Sequence, residues 1–124
     1  MKKRAAHQHV ALGVLESAHV PLDRITFHIV PTNRVWTRDY APIFVHDHQR
    51  RKQALKWCFR GWSKYPDWYD DDHAGEEIAK IAQANLIRVT YQGKPVVLEG
   101  GAIDGNGAGV ILATEECLLS AEQQ

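Results

Sequence analysis

The chain runs helix, strand, hairpin and then helix, strand, hairpin again, and that repeated order limits it to a mixed α/β architecture. The first helix is read from Ala6, Val10, Ala11, Val14, Leu15 and Ala18, which recur at three- and four-residue steps between Ala5 and about Ala18 and stop before Pro21. Ile25, Phe27 and Ile29 alternate with Thr26 and His28, which predicts a strand over 25–30. Ile43 to Val45 and Ala54 to Phe59 flank a polar stretch, His46 to Gln53, as an antiparallel hairpin would.

The second round is marked more strongly. Asp70, Asp71 and Asp72 supply first-turn or capping chemistry for a helix through about Ala84, whose apolar stripe is Ala74, Ile78, Ile81 and Ala82. Leu86 to Tyr91 reads as a strand ending at Gly93, and Val96-Val97-Leu98 as a short buried strand leading into Glu99-Gly100-Gly101. Ala102-Ile103 and Val110 to Ala113 form a hairpin about Asp104-Gly105-Asn106-Gly107. Thr114 caps a short terminal helix with Glu115 and Glu116 in its first turn, and residues 121–124 fray.

Composition narrows the function classes. At 124 residues, 44% hydrophobic and 24% charged, the chain suits one soluble domain with a modest core. Fifteen basic and fifteen acidic residues cancel, so bulk electrostatics argue against nucleic-acid and membrane partners. Lys2-Lys3-Arg4 and Arg50-Arg51-Lys52 read as a frayed terminus and a solvated hairpin tip. No apolar run is long enough to span a bilayer, and His7, Gln8 and His9 interrupt what would be a signal-peptide core, so a cytoplasmic protein is expected. Cys58 and Cys117 lack the spacing of a disulfide framework or a zinc knuckle.

Special residues collect in three loops, 36–42, 60–69 and 99–101. Trp36-Thr37-Arg38-Asp39-Tyr40-Ala41-Pro42 reads as a loop at a strand end, carrying a charged pair between two aromatics. The four tryptophans, Trp36, Trp57, Trp62 and Trp68, lie in or beside the first two loops. Their rings either wall a pocket for a flat or cationic group or supply core. Glu99, at the end of an apolar strand, is either paired structurally or poised for a site, since a buried carboxylate needs a partner. The His-x-His pairs at His7/His9 and His46/His48 can chelate, but they sit at a helix start and in a turn. No metal and no cofactor are expected.

Taken together, the 36–42 block, then Trp57-Cys58-Phe59-Arg60-Gly61-Trp62-Ser63-Lys64-Tyr65, then Leu98 through Leu119 resemble the agmatine deiminase and bacterial (Porphyromonas-type) peptidylarginine deiminase family. The resemblance runs from about Leu12 to the end, and the Leu98-Glu99-Gly100-Gly101-Ala102-Ile103-Asp104 to Cys117-Leu118-Leu119 stretch is its most specific part. It implies the pentein fold, a five-bladed α/β propeller of ββαβ-type modules. Residues 1–124 would then be a single partial pentein domain of about one to two modules, with mixed sheets and two main helices. It also implies a chemistry: a cysteine thiolate attacks the guanidinium carbon of agmatine or a peptidyl arginine, ammonia leaves, and water hydrolyses the covalent intermediate. By the same resemblance Asp39 matches the guanidinium-binding aspartate, Trp36 helps shape the pocket, and Glu99 matches the glutamate that orients the catalytic histidine.

The departures are informative. Family members run well over twice this length, and their His-x-Asp pair and nucleophilic cysteine lie beyond the point where this chain stops. No His-x-Asp triplet occurs here, and Cys58 and Cys117 match non-nucleophilic positions. Ala41 stands for the usual glycine, Arg60 for the usual asparagine, and Val110 and Ala113 for the usual threonines. The expectation is a shortened deiminase-family chain, inactive alone, that pairs as a homodimer to bury incomplete propeller edges. The alternative is a non-catalytic module that binds guanidino or cationic amine ligands.

Overall fold

A computed structural model describes residues 2–123. The chain divides into two compact units, Met1–Val30 and Pro31–Gln124. In the first unit, helix α1 spans Lys2–Ser17. The basic cluster at its start is therefore part of the helix and not a frayed end. The helix closes where His19 turns left-handed (φ 54°) and Val20 N–H donates to Leu15 O at 3.0 Å. A 3₁₀ turn, Leu22–Arg24, follows Pro21. The strand expected over 25–30 is absent. Ile25 is extended (φ −112°, ψ 127°), but no ladder joins this run among the described residues, and alternation without a partner strand leaves the backbone unpaired.

The second unit is organised on a three-stranded sheet of order β1-β2-β3. β1 (Ile43–His46) and β2 (Lys52–Lys56) form the expected antiparallel hairpin, with Ile43 opposite Leu55 and His46 opposite Lys52. Asp47 closes the turn, its Oδ1 accepting the Gln49 and Arg51 amides, both at 2.9 Å. From β2 the chain crosses through a long helix to β3 (Asn85–Arg88), which lies parallel to β2 with Ala54 opposite Leu86. A parallel neighbour needs a crossover of this kind, and α3 (Tyr69–Ile81) provides it.

The helix buries a stripe that shares Ala74 with the one expected, where Ile78 and Ala82 are half-buried. Asp71, Ala74, Gly75 and Ala79 are buried, whereas Ile81 is 40% exposed. Small residues face inward because α3 lies close to its neighbours: a Cβ on Gly75 would collide with Tyr40 O and stand 2.6 Å from Lys56 Cε. The run 86–91 breaks at Val89, whose N–H donates to Lys56 O at 2.9 Å. Beyond it, β4 (Thr90–Tyr91) and β5 (Lys94–Pro95) form a tight hairpin through left-handed Gln92 and Gly93. The strand expected at 96–98 is reduced to one parallel bridge, Cys58 to Val97, with Cys58 N–H on Val96 O (3.0 Å) and Leu98 N–H on Cys58 O (3.2 Å).

β6 (Ile103–Gly105) and β7 (Ile111–Ala113) pair antiparallel as expected. Thr114 caps α4 (Glu115–Leu119), its Oγ1 accepting the Cys117 amide at 3.3 Å. Residues 121–123 form a turn, and Gln124 lies outside the described residues. The buried apolar residues of this unit are Tyr40, Ala54, Phe59, Ala74, Ala79 and Val97.

Candidate functional site

The 36–42 block is a turn of helix and not an irregular loop. α2 spans Thr37–Tyr40, with Asp39 N–H on Trp36 O (3.0 Å) and Ala41 N–H on Thr37 O (2.9 Å). Pro42, which cannot donate, follows its end. Tyr40 anchors the turn: it is buried, packs edge-on against Phe59 at 6.0 Å, and donates from its hydroxyl to Arg34 O at 3.4 Å. With Tyr40 facing the core, Trp36 is left 60% exposed and Asp39 half-buried.

Against this turn lies the 3₁₀ segment Gly100–Ala102, and here the diglycine has a visible function. A Cβ on Gly100 would collide with Arg38 O, and one on Gly101 with Asp39 Oδ1. Only glycine permits that approach. Gly101 N–H uses it to donate to Asp39 Oδ1 at 3.0 Å. The structure thus brings Asp39 and the Glu99 segment together across 60 residues of chain. Oδ2 of Asp39 has no hydrogen bond among the described residues.

The second loop is held in an unusual backbone state. Gly61, Trp62 and Ser63 are left-handed in succession, with φ of 60°, 55° and 55°. For Trp62 and Ser63 this costs about 1–2 kcal/mol each. The strain is offset where the Trp62 ring lands: edge-on to Phe59 at 5.3 Å, Tyr65 at 5.9 Å and Trp36 at 6.4 Å. Such edge-to-face pairs contribute about 0.5–1.5 kcal/mol apiece beyond area burial. The result is an open cleft of about 350 Å³ lined by Trp36, Asp39, Trp62, Lys64 and Tyr65.

Residues that pattern reading took only as helix-start acids hold this cleft in place. Asp71 is wholly buried and accepts the amides of Asn33 (2.7 Å) and Arg34 (2.9 Å), tying down the segment that leads to Trp36. The Arg34 guanidinium bonds Asp67 at 2.5 Å and lies over the Tyr65 ring at 4.2 Å. Asp72 accepts from Lys56 Nζ (2.6 Å) and from the Phe59 amide (2.8 Å), fixing the start of the aromatic loop. Three consecutive aspartates looked like one signal for a helix start. What would have separated them is which of the three faces inward, and that is a tertiary property.

Glu99 is 5% exposed and does not line the cleft, but it adjoins it. Its Oε1 is buried without a hydrogen-bond partner among the described residues. Burial pushes its carboxyl pKa up, and the negative charge of Asp39 adds to that. Its own amide, the Trp62 amide and the positive charge of Arg60 pull the other way. The Asp39 charge at the cleft thus acts on the Glu99 carboxyl buried beside it. Cys58 is half-buried and its thiol pKa is raised, first by burial and then by Asp72, the opposite of an activated nucleophile. Among the described residues no group of three or more His, Cys, Asp or Glu side chains could hold a metal ion. No helix among them is long and apolar enough to cross a membrane. An acid at the edge of flat aromatic walls suits a planar cation.

Comparison with known proteins places this geometry. The sequence profile of the Porphyromonas-type peptidyl-arginine deiminases matches residues 1–124. A Selenomonas ruminantium protein assigned as an agmatine deiminase is 35% identical over 120 residues, covering 93% of this chain and 31% of its own length. The agmatine deiminase of Pseudomonas aeruginosa is 33% identical over 115 residues, covering 87% of this chain and 30% of its own. Among solved structures, the Enterococcus faecalis agmatine deiminase superposes with a TM-score of 0.72 at 30% identity, over 86% of this chain and 29% of that one. The chain thus spans about a third of the length of the relatives it matches, and its α/β architecture is part of their pentein fold. On a match that runs the whole length of the sequence, the chain belongs to the Porphyromonas-type peptidyl-arginine deiminase family.

Proposed function

We propose that the chain carries the guanidinium-binding part of a deiminase site and binds a guanidino compound, agmatine or an arginine side chain, without turning it over alone. Asp39 takes the guanidinium through charge-assisted hydrogen bonds to its free oxygen, and Trp36 stacks on or borders the planar group. Glu99 is the residue that would orient a proton-handling histidine, and its partnerless Oε1 is suited to receive an imidazole N–H. The observation that carries the reading is the Gly101 N–H to Asp39 Oδ1 bond, because it holds one carboxylate at an aromatic cleft beside a second buried acid.

Within the 124 residues there is no His-x-Asp triplet, and Cys58 is a half-buried thiol whose pKa is raised. Where nucleophile and base act as a unit, loss of one costs many orders of magnitude in rate. Titration calorimetry with agmatine and arginine tests the binding. Heat at millimolar ligand is expected from the native chain and not from Asp39→Asn, and Trp36→Ala should bind more weakly. No heat from the native chain removes the reading, while ammonia release above background would show that the chain does complete the chemistry. The same reading extends to assembly, a homodimer that covers the open sheet edges and the exposed β6–β7 hairpin.

A further inference from the structure

Two clefts meet at Lys64 and Tyr65. The first is lined by Asp39 with Trp36 and Trp62. The second, about 550 Å³, is lined by Arg60, Trp68 and Glu122 together with the shared Lys64 and Tyr65. Lys64 is common to both; the first adds the Asp39 carboxylate, and the second adds Arg60 and Glu122. Lys64 stands at the junction, exposed, its ammonium with no hydrogen bond or ion pair among the described residues. The junction is firmly built: Ser63 Oγ donates to Glu122 O at 2.5 Å, and Lys64 N–H donates to Gly61 O at 3.0 Å.

We propose that this site selects guanidino compounds whose far end is a carboxylate, with Lys64 receiving that carboxylate. The proposal rests on the reading above that Asp39 holds the guanidinium. With the guanidinium there, the tail of an ω-guanidino acid passes Tyr65 and brings its carboxylate to the ammonium of Lys64. An ω-guanidino amine presents a second cation to the same place and meets like-charge repulsion. Because Lys64 is exposed, the preference is modest and weakens with salt.

The pair 4-guanidinobutyrate and agmatine isolates the effect, since they differ chiefly in carrying a carboxylate or an ammonium at the far end. Ethylguanidine, with an uncharged tail, reports on the Asp39 pocket alone. Calorimetry on the full chain at low salt is expected to show 4-guanidinobutyrate binding about tenfold tighter than agmatine. Lys64→Gln should level the two and Lys64→Glu should reverse their order. Ethylguanidine binding with agmatine equal to or tighter than 4-guanidinobutyrate overturns the selection and leaves the guanidinium pocket standing. Failure of ethylguanidine to bind overturns both.

Discussion

Glu99 shows how one residue couples stability to the site. Its carboxyl pKa is raised in the folded chain, by burial first and Asp39 second, so the folded state holds a proton that the unfolded state has released. Its contribution to stability is whole below the unfolded pKa and is lost as pH rises through the folded one. Asp47, Asp67 and Glu77 work in the opposite sense. Their carboxyls are held below the ordinary range by the Arg51 amide, Arg34 and Lys80 respectively, so their contribution is present at neutral pH and lost on acidification. The difference between native chain and Glu99→Gln isolates the first effect. The variant's urea midpoint is expected to gain on the native one as pH rises above the ordinary glutamate pKa, and a difference that stays flat with pH would show that Glu99 has no raised pKa. At this scale the sequence was legible in kind: a diglycine after an acid signals close approach. That the approaching groups are Arg38 O and Asp39 Oδ1 depends on chain some 60 residues away.

At the scale of elements, α3 gives the sharpest test, because local and tertiary preferences oppose each other there. In a solvated helix, Gly→Ala gains about 1 kcal/mol. At Gly75 the added Cβ would meet Tyr40 O and Lys56 Cε, and overpacking of that kind costs about 1–3 kcal/mol. Overpacking wins, so Gly75→Ala is expected to lower the thermal midpoint by several degrees; a raised midpoint would mean that α3 does not lie against α2 and β2. The elements legible from pattern are those closed by local chemistry: the β1–β2 and β6–β7 hairpins, α3 and the Thr114-capped α4. Those misread depend on a distant partner. The run 25–30 alternates yet has no ladder among the described residues, and 96–98 has only the Cys58 bridge.

For the whole molecule, the exposed apolar surface predicts how the chain behaves in solution. Ile111 and Leu112, adjacent on β7, are 67% and 68% exposed, with Val110 and Leu119 also exposed nearby in sequence. Adjacent strand residues point to opposite faces, so β7 shows apolar side chains on both. Together with the outer edges of β1 and β3, this surface favours association. Sedimentation equilibrium is expected to give a dimer that Ile111→Lys with Leu112→Glu shifts toward monomer. A native chain that is monomeric at tens of micromolar would argue against the homodimer. The chain's span of about a third of its relatives' length was anticipated from the family's greater length, read through the Trp36–Pro42 and Leu98–Leu119 blocks.

Sequence alone determined the family, the α/β class and the three loops where special residues gather, because these are written in short motifs and in local periodicity. Tertiary structure decided the rest. It turned the 36–42 loop into a helical turn, exposed Trp36 while burying Tyr40, made Asp71 and Asp72 supports for the cleft, and set Lys64 where two clefts meet. Each of these follows from which residues far apart in the chain occupy the same space, and packing, not pattern, selects that.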